Sequence, residues 1–138
     1  MTQFQAPIAL TGRILLAAMF VLSGFTKIGA FAGTQQYMEA FGVPGALLPL
    51  VIILELVGGL MIAAGFFTRI TALALAGFTL VSAVLFHANF GDQIQMILFL
   101  KNISIAGGFL MLVAFGPGAL SIDARRTSGE VSGSGAPA

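Results

Sequence analysis

There is no cysteine in this chain of 138 residues, and His87 is its single histidine. Without thiols there is no disulfide, no thiolate nucleophile, no zinc–thiolate site and no iron–sulfur ligation. One imidazole per protomer cannot supply both axial ligands of a haem, nor a poly-histidine metal site, so the sequence offers no metal, haem or Fe–S ligand set. Charge is scarce as well. Lys and Arg number 6 and Asp and Glu 5, or 8% of residues, where a soluble domain carries roughly 25%. A net charge of +1 gives no broad basic field, which removes the signature of a nucleic-acid binder. Redox chemistry on such a chain would need a bound organic carrier or partner proteins.

What the sequence does contain is apolar. Hydrophobic residues make up 58%, with 18 Gly and 13 Phe, and the mean hydropathy is +1.04. A surface this poor in charge does not stay dispersed in water, so the expected solvent is a lipid bilayer. A helix crossing the hydrocarbon needs about 20 mostly apolar residues. Four segments meet that need, near residues 8–28, 46–66, 69–90 and 95–115. Turn chemistry separates them: Gly42-Val-Pro-Gly45, the short Phe67-Thr-Arg-Ile70, and Asn89-Phe-Gly-Asp92. Gly116-Pro-Gly118 stops the last helix, because Pro cannot continue it and Gly accepts positive φ. Short connections make neighbours antiparallel. The expected fold is an all-α integral membrane protein, an up-down four-helix transmembrane bundle occupying residues 1–126, followed by a disordered polar tail at 127–138.

Two local segments have alternative readings. Phe31 to Phe41 in the long first loop reads either as a short interfacial helix, with Tyr37, Met38 and Phe41 on one face, or as a plain surface loop. Arg13, the run Ile14–Phe25 and Ala30-Phe-Ala32 resemble a cleavable signal peptide. An uncleaved span is preferred, because three further spans follow and the first helix carries its own polar stripe. Arg13, Arg69, Arg125 and Arg126 lie toward one side and Lys27 toward the other, so the positive-inside rule places both termini in the cytoplasm.

Helical spacing then gathers the polar residues. On the first span Arg13, Ala17, Phe20, Gly24 and Lys27 form one stripe. Glu55 shares a face with Gly58, Gly59 and Ala63; His87 lies on the line Ala72, Ala76, Thr79, Ala83; Lys101 lies with Ser104 and Gly108, and Asn102 sits beside them. Small residues mark where helices approach closely, so these faces should point into the bundle. Glu55 lies roughly 13 Å down its helix and Lys101 roughly 9 Å down from the same side, at 1.5 Å per residue. The expected ion pair is therefore Glu55–Lys101, with His87 and Lys27 at the outer rim and Arg13 approaching from below. Each residue also has a plainer reading: a structural clasp for the pair, snorkelling for Arg13, an interfacial anchor for Lys27, a rim residue for His87, and an interhelical bond for Asn102.

The same residues resemble the DoxX family of small bacterial inner-membrane proteins. The matching pieces are Gly12-Arg13, Ser23-Gly-Phe-Thr-Lys27, Glu55-Leu-Val-Gly-Gly59, Gly65-Phe-Phe-Thr-Arg69, Phe86-His87, Lys101-Asn-Ile-Ser-Ile-Ala-Gly-Gly108 and Gly116-Pro-Gly-Ala-Leu-Ser-Ile-Asp123. They run in order over about residues 12–123. The resemblance implies a multi-pass protein of the bacterial inner membrane with an oxidoreductase label. Some members are similar to a subunit of a thiosulfate:quinone oxidoreductase, and others are associated with complexes containing superoxide dismutase and a sulfurtransferase. What carries over is the pattern Arg13, Lys27, Glu55, His87, Lys101 and Asn102, with no role fixed for each.

Three functions compete at this stage. The first is a quinone-linked oxidoreductase component, with Glu55, Lys101 and His87 as catalytic groups and Arg13, Lys27 and Asn102 lining a quinone pocket. The second is a non-catalytic scaffold docking soluble redox or stress proteins on its cytoplasmic side. The third is a small-anion permease, which would need protomers to associate into a homo-oligomer.

Overall fold

Each of the four expected spans forms a helix, and the chain adds two shorter helices. The computed structural model describes residues 2–134, with side chains at 3–127 and 129. Helix α1 is Thr2–Gly29, α2 is Phe31–Ala40, α3 is Leu48–Ala64, α4 is Thr68–Phe86, α5 is Gln93–Phe115 and α6 is Ile122–Ser134. A 3-10 turn, Gly45–Leu47, leads into α3. Gln3–Gly29, Gly45–Ala64, Thr68–Phe86 and Gln93–Phe115 are long and apolar enough to cross a membrane. Of the two readings of the first loop, the helical one is realised as α2. Helix also continues from Ile122 to Ser134, through most of the stretch expected to be a disordered tail; residues 135–138 lie outside the described residues.

The helix ends follow from local chemistry. Pro49 occupies the first turn of α3, where its missing N–H is no loss. Gly65 closes α3 at φ 71°, with Gly65 N–H donating to Ile62 O and Phe66 N–H to Met61 O, the bond pair of a Schellman stop. Asp92 caps α5 by accepting from Ile94 N–H at 2.9 Å.

The α3–α4 corner depends on a residue far along the chain. Phe67 is left-handed at φ 45°, a conformation that costs a side-chain-bearing residue roughly 1–2 kcal/mol. The Asp123 carboxylate holds that turn, accepting from Phe67 N–H and Thr68 N–H at 2.8 Å each. Asp123 thus caps α4 from the start of α6, and Asp123 N–H donates back to Gly65 O at 2.9 Å. Arg126 stacks over the Phe67 ring at 4.9 Å.

Packing runs mainly in two antiparallel pairs, α1 with α3 and α4 with α5, joined across α3 and α4. The central core is Ala17, Phe20, Ile62, Ala72, Leu75, Ala76, Ala106 and Phe109, with Phe20 and Phe109 edge to face at 5.3 Å. A second cluster, Met38, Leu48 and Ile52, fixes α2 against the start of α3. The many exposed large apolar side chains, Leu15 at 69% and Ile70 at 72% among them, are what a lipid-facing surface requires.

Burial raises the affinity of the Asp123 carboxyl for its proton, but the backbone N–H groups of Thr68 and Phe67 and the charge of Arg126 outweigh it and hold the group below the ordinary aspartate range. Since the folded value is the lower one, its stabilisation is complete above that range and disappears as pH falls through the folded value. Asp123→Ala should lower the unfolding free energy by about 1–2 kcal/mol at neutral pH, as loss of a cap does, and should flatten the acid limb. Denaturant titrations of the lipid-reconstituted protein across a pH series check both.

Candidate functional site

Glu55, the isolated carboxylate of α3, is 2% exposed. Its Oε1 lies 2.6 Å from Lys27 Nζ, and the same ammonium donates to Ser23 Oγ at 2.7 Å. Ser23 and Lys27 are four residues apart on α1, so they share a face. Glycines on both helices make the contact possible. A Cβ at Gly24 would lie 2.6 Å from Leu56 Cγ, and one at Gly59 would lie 2.9 Å from Val21 Cγ2. The α1 and α3 backbones therefore approach more closely than larger residues allow.

The expected Glu55–Lys101 pair is not formed. Lys101 is exposed, and Lys27 takes its place. The error had two physical sources. The contacts Gly24–Leu56 and Lys27–Glu55 set an antiparallel register that puts the end of α1 level with about residue 52 of α3. Lys27 is thus beside Glu55 in depth, not above it at the rim, while the first turns of α3 rise past α1 and pack against α2. On α5 the inward line is Asn102, Ala106 and Phe109, which turns Lys101 and Ser104 outward. That helix is apolar nearly all round, so its sequence period could not choose the face.

Arg13 is also displaced from its expected place. It is 1% exposed and does not line the chamber around Glu55. Its guanidinium donates to Ile62 O and Ala63 O at 3.1 Å each and to Leu120 O. Ala63 O is a carbonyl left over at the end of α3, Ile62 O is shared with Gly65 N–H, and a cation there also complements the helix dipole. A Cβ at Gly65 would lie 2.5 Å from Arg13 Nη1, so glycine is required there twice, for its positive φ and for this side chain. Arg13 is a structural pin between α1, the end of α3 and the segment before α6.

Around Glu55 a chamber of about 250 Å³ opens between α1, α3, α4 and α5 under α2. Lys27, His87 and Asn102 from the sequence reading line it, joined by Ser23, Tyr37 and Ser82. Asn102 Nδ2 donates to Thr79 O at 3.4 Å, a long bond that leaves much of the amide's capacity unused. His87 Nδ1 lies 2.8 Å from Gln95 Oε1. An amide oxygen only accepts, so Nδ1–H donates this bond. Tyr37 of α2 and Phe41, the residue that closes it, pack with Phe86 of α4 at ring separations of 5.5 and 5.3 Å, and Tyr37 and Phe86 give the chamber an aromatic wall. Ser82 and Gln95 escaped the sequence reading. Ser23 was legible as the residue four before Lys27.

Glu55 Oε2 is the chemical focus. It is buried and has no hydrogen-bond partner among the described residues, and Glu55 lines the chamber. A charge at mid-bilayer costs about 3 kcal/mol on insertion scales. Lys27 answers that cost at one oxygen and leaves the other open. Lys27 has three N–H donors and spends two, on Glu55 and Ser23. The chamber thus offers one strong acceptor and one ammonium donor side by side. No cluster of three or more His, Cys, Asp or Glu suited to a metal occurs among the described residues.

Four apolar spans around a buried, half-satisfied ion pair define the class: a small multi-pass membrane protein with a polar centre. The chain belongs to the DoxX family, whose sequence profile matches residues 8–88. It is 58% identical over 83% of its length to the inner membrane protein YqjF of Escherichia coli (strain K12), covering 88% of that protein. It is 42% identical over 84% of its length to the inner membrane protein YphA of the same organism, covering 88% of it. A more distant relative, "Putative oxidoreductase CatD" of Bacillus subtilis (strain 168), is 29% identical over 53% of this chain and 54% of that one. No solved structure matches. With its four spans and these relatives, the chain is a multi-pass protein of the bacterial inner membrane.

Removing one partner of a buried pair leaves the other uncompensated, a loss of about 3 kcal/mol or more. Lys27→Met should destabilise the reconstituted protein by that order, and adding Glu55→Leu should recover most of it. Lys101→Met, which leaves the Lys27–Glu55 pair intact, should cause no such loss. Unfolding titrations of the four proteins test this.

Proposed function

We propose that this DoxX-family protein is a quinone-linked component of a membrane oxidoreductase, and that the Glu55 chamber receives the quinone or quinol head group. The observation that carries this reading is the buried, unpartnered Glu55 Oε2 on a residue that lines, together with Lys27, a chamber of about 250 Å³. A dry cavity of roughly 150 Å³ accommodates benzene, so a substituted six-membered ring is within scale. A quinol carries hydroxyl donors and a quinone carries carbonyl acceptors. Glu55 Oε2 takes a hydrogen bond from the hydroxyl, and the remaining Lys27 N–H donates to the carbonyl. Tyr37 and Phe86, stacked at 5.5 Å, supply ring faces along the chamber wall.

Quinone reduction consumes two electrons and two protons. Glu55 is the proton-exchanging group in this proposal. The electrons come from a soluble redox partner, since the chain itself has no thiol or metal-ligand set. Exposed Arg69, Arg125 and Arg126 cluster near the α4 and α6 starts, and by the positive-inside rule that end is cytoplasmic. The name of the Bacillus subtilis relative supports the oxidoreductase class.

The test uses the protein's own reporter. Tyr37 is the single tyrosine, there is no tryptophan, and Tyr37 lines the chamber. In lipid nanodiscs a short-chain benzoquinol should quench Tyr37 fluorescence saturably. Glu55→Gln keeps the shape but removes the charge, and charge-assisted bonds are roughly twice as strong as neutral ones. Its quinol affinity should fall about tenfold, the equivalent of roughly 1.4 kcal/mol, with less effect on the oxidised form. Non-saturable quenching, or equal quinol affinity in both proteins, would reject the proposal.

A further inference from the structure

The outward lysine of α5 has a consequence of its own. Lys101 stands three residues from Ser104, the middle of the 23-residue span Gln93–Phe115, or roughly 4.5 Å along the axis at 1.5 Å per residue. It is exposed and makes no hydrogen bond or ion pair among the described residues. A bare ammonium at that depth is strongly unfavourable in hydrocarbon. Half of a hydrocarbon layer about 30 Å thick leaves the charge roughly 10 Å beneath the nearer headgroups, beyond comfortable reach of a lysine stem. Its anion has to come sideways, from within the membrane.

The surrounding surface suits a helix. α5 is the least covered span, with 11% of its apolar stretch buried against 22% for α1 and 33% for α3 and α4. Ile94, Ile97, Lys101 and Ser104 form one exposed stripe at helical spacing, which ends where Gly108 meets Leu16 of α1. Beside it Gly107 has nothing within 4 Å of where a Cβ would be. Small residues on an open face let a second helix approach closely. A symmetric second copy does not solve the charge problem, since a two-fold axis on this stripe brings Lys101 against Lys101. The acids of this chain do not fit either. Glu55 is already paired with Lys27, Asp92 and Asp123 are helix caps outside the spans, and Glu39 and Glu130 lie on α2 and α6, also outside them.

We propose that the Lys101 face of α5 docks a membrane-spanning helix of a different protein, which carries an Asp or Glu at the depth of Lys101. This assignment is independent of what occupies the Glu55 chamber. Charge complementarity selects the partner, and the Ser104–Gly107 notch sets how closely its backbone approaches. The face lies beyond residue 88, outside the part of the chain that the family profile matches.

The probe is a pair of apolar 23-residue transmembrane peptides that differ only in a central Glu or Gln, mixed with the full-length protein in phosphatidylcholine vesicles. With no native cysteine, one introduced in the tail carries the energy-transfer donor. The Glu peptide should associate at least about tenfold more tightly than the Gln peptide, the order expected when a buried charge finds its counter-charge. Lys101→Met should abolish that preference, and Lys101→Glu should transfer it to a Lys-bearing peptide. Ser104→Leu, which closes the notch while keeping the charge, should weaken the Glu peptide. Equal association of the two peptides, or a Glu preference that survives Lys101→Met, overturns the proposal. So does a preference competed away by phosphatidylglycerol, which would assign Lys101 to a lipid phosphate. In native membranes, a photo-crosslinking residue at position 104 should trap a span containing an acid. Trapping a span without one, trapping a second copy of this chain, or trapping nothing contradicts it.

Discussion

A carboxylate inside a bilayer-spanning bundle is stable only if a cation reaches it, and here the cation comes from the end of α1. The bond between Lys27 and Glu55 sets how the first two spans meet. It needs α1 and α3 in close contact, which Gly24 and Gly59 permit. It also needs the register that brings residue 27 level with residue 55. Small residues, helix register and charge are therefore one constraint. A larger side chain at either glycine would push the helices apart and strand the acid.

The opposite end of the bundle solves a different problem with the same economy of charge. Arg13 satisfies carbonyls at the close of α3, and Asp123 satisfies N–H groups at the opening of α4. Between them the turn passes through left-handed Gly65 and Phe67, a path that few sequences tolerate. One cation and one anion thus serve backbone groups on either side of a single corner.

Much of the fold was legible because the bilayer makes the question one-dimensional. A run of about 20 apolar residues between turn signals is a span, and Gly116-Pro-Gly118 stops a helix whatever surrounds it. Glu55 was legible for the same reason, as one charge in an apolar run. Its partner was not. Pairing depends on relative depth, and depth depends on how far the α2 connection lets α3 rise past α1. The Arg13 stripe read correctly as inward-facing, but hydropathy says nothing about which backbone carbonyls await a guanidinium. Lys101 was misread because a helix apolar all round has no face that its period can reveal. His87 and Asn102 line the chamber, His87 at the end of the small-residue face of α4 and Asn102 on the core line of α5.

The account rests on which of two lysines meets Glu55, and labelling can resolve that directly. The chain has only Lys27 and Lys101, so solid-state NMR on lysine-¹⁵N, glutamate-¹³C protein in lipid bilayers reads few signals. The account predicts a strong dipolar contact between the Glu55 carboxyl carbon and the Lys27 ammonium nitrogen, lost in Lys27→Met and retained in Lys101→Met. A Glu55 contact that follows Lys101, or a Glu55 carboxyl coupled to neither lysine, would contradict it.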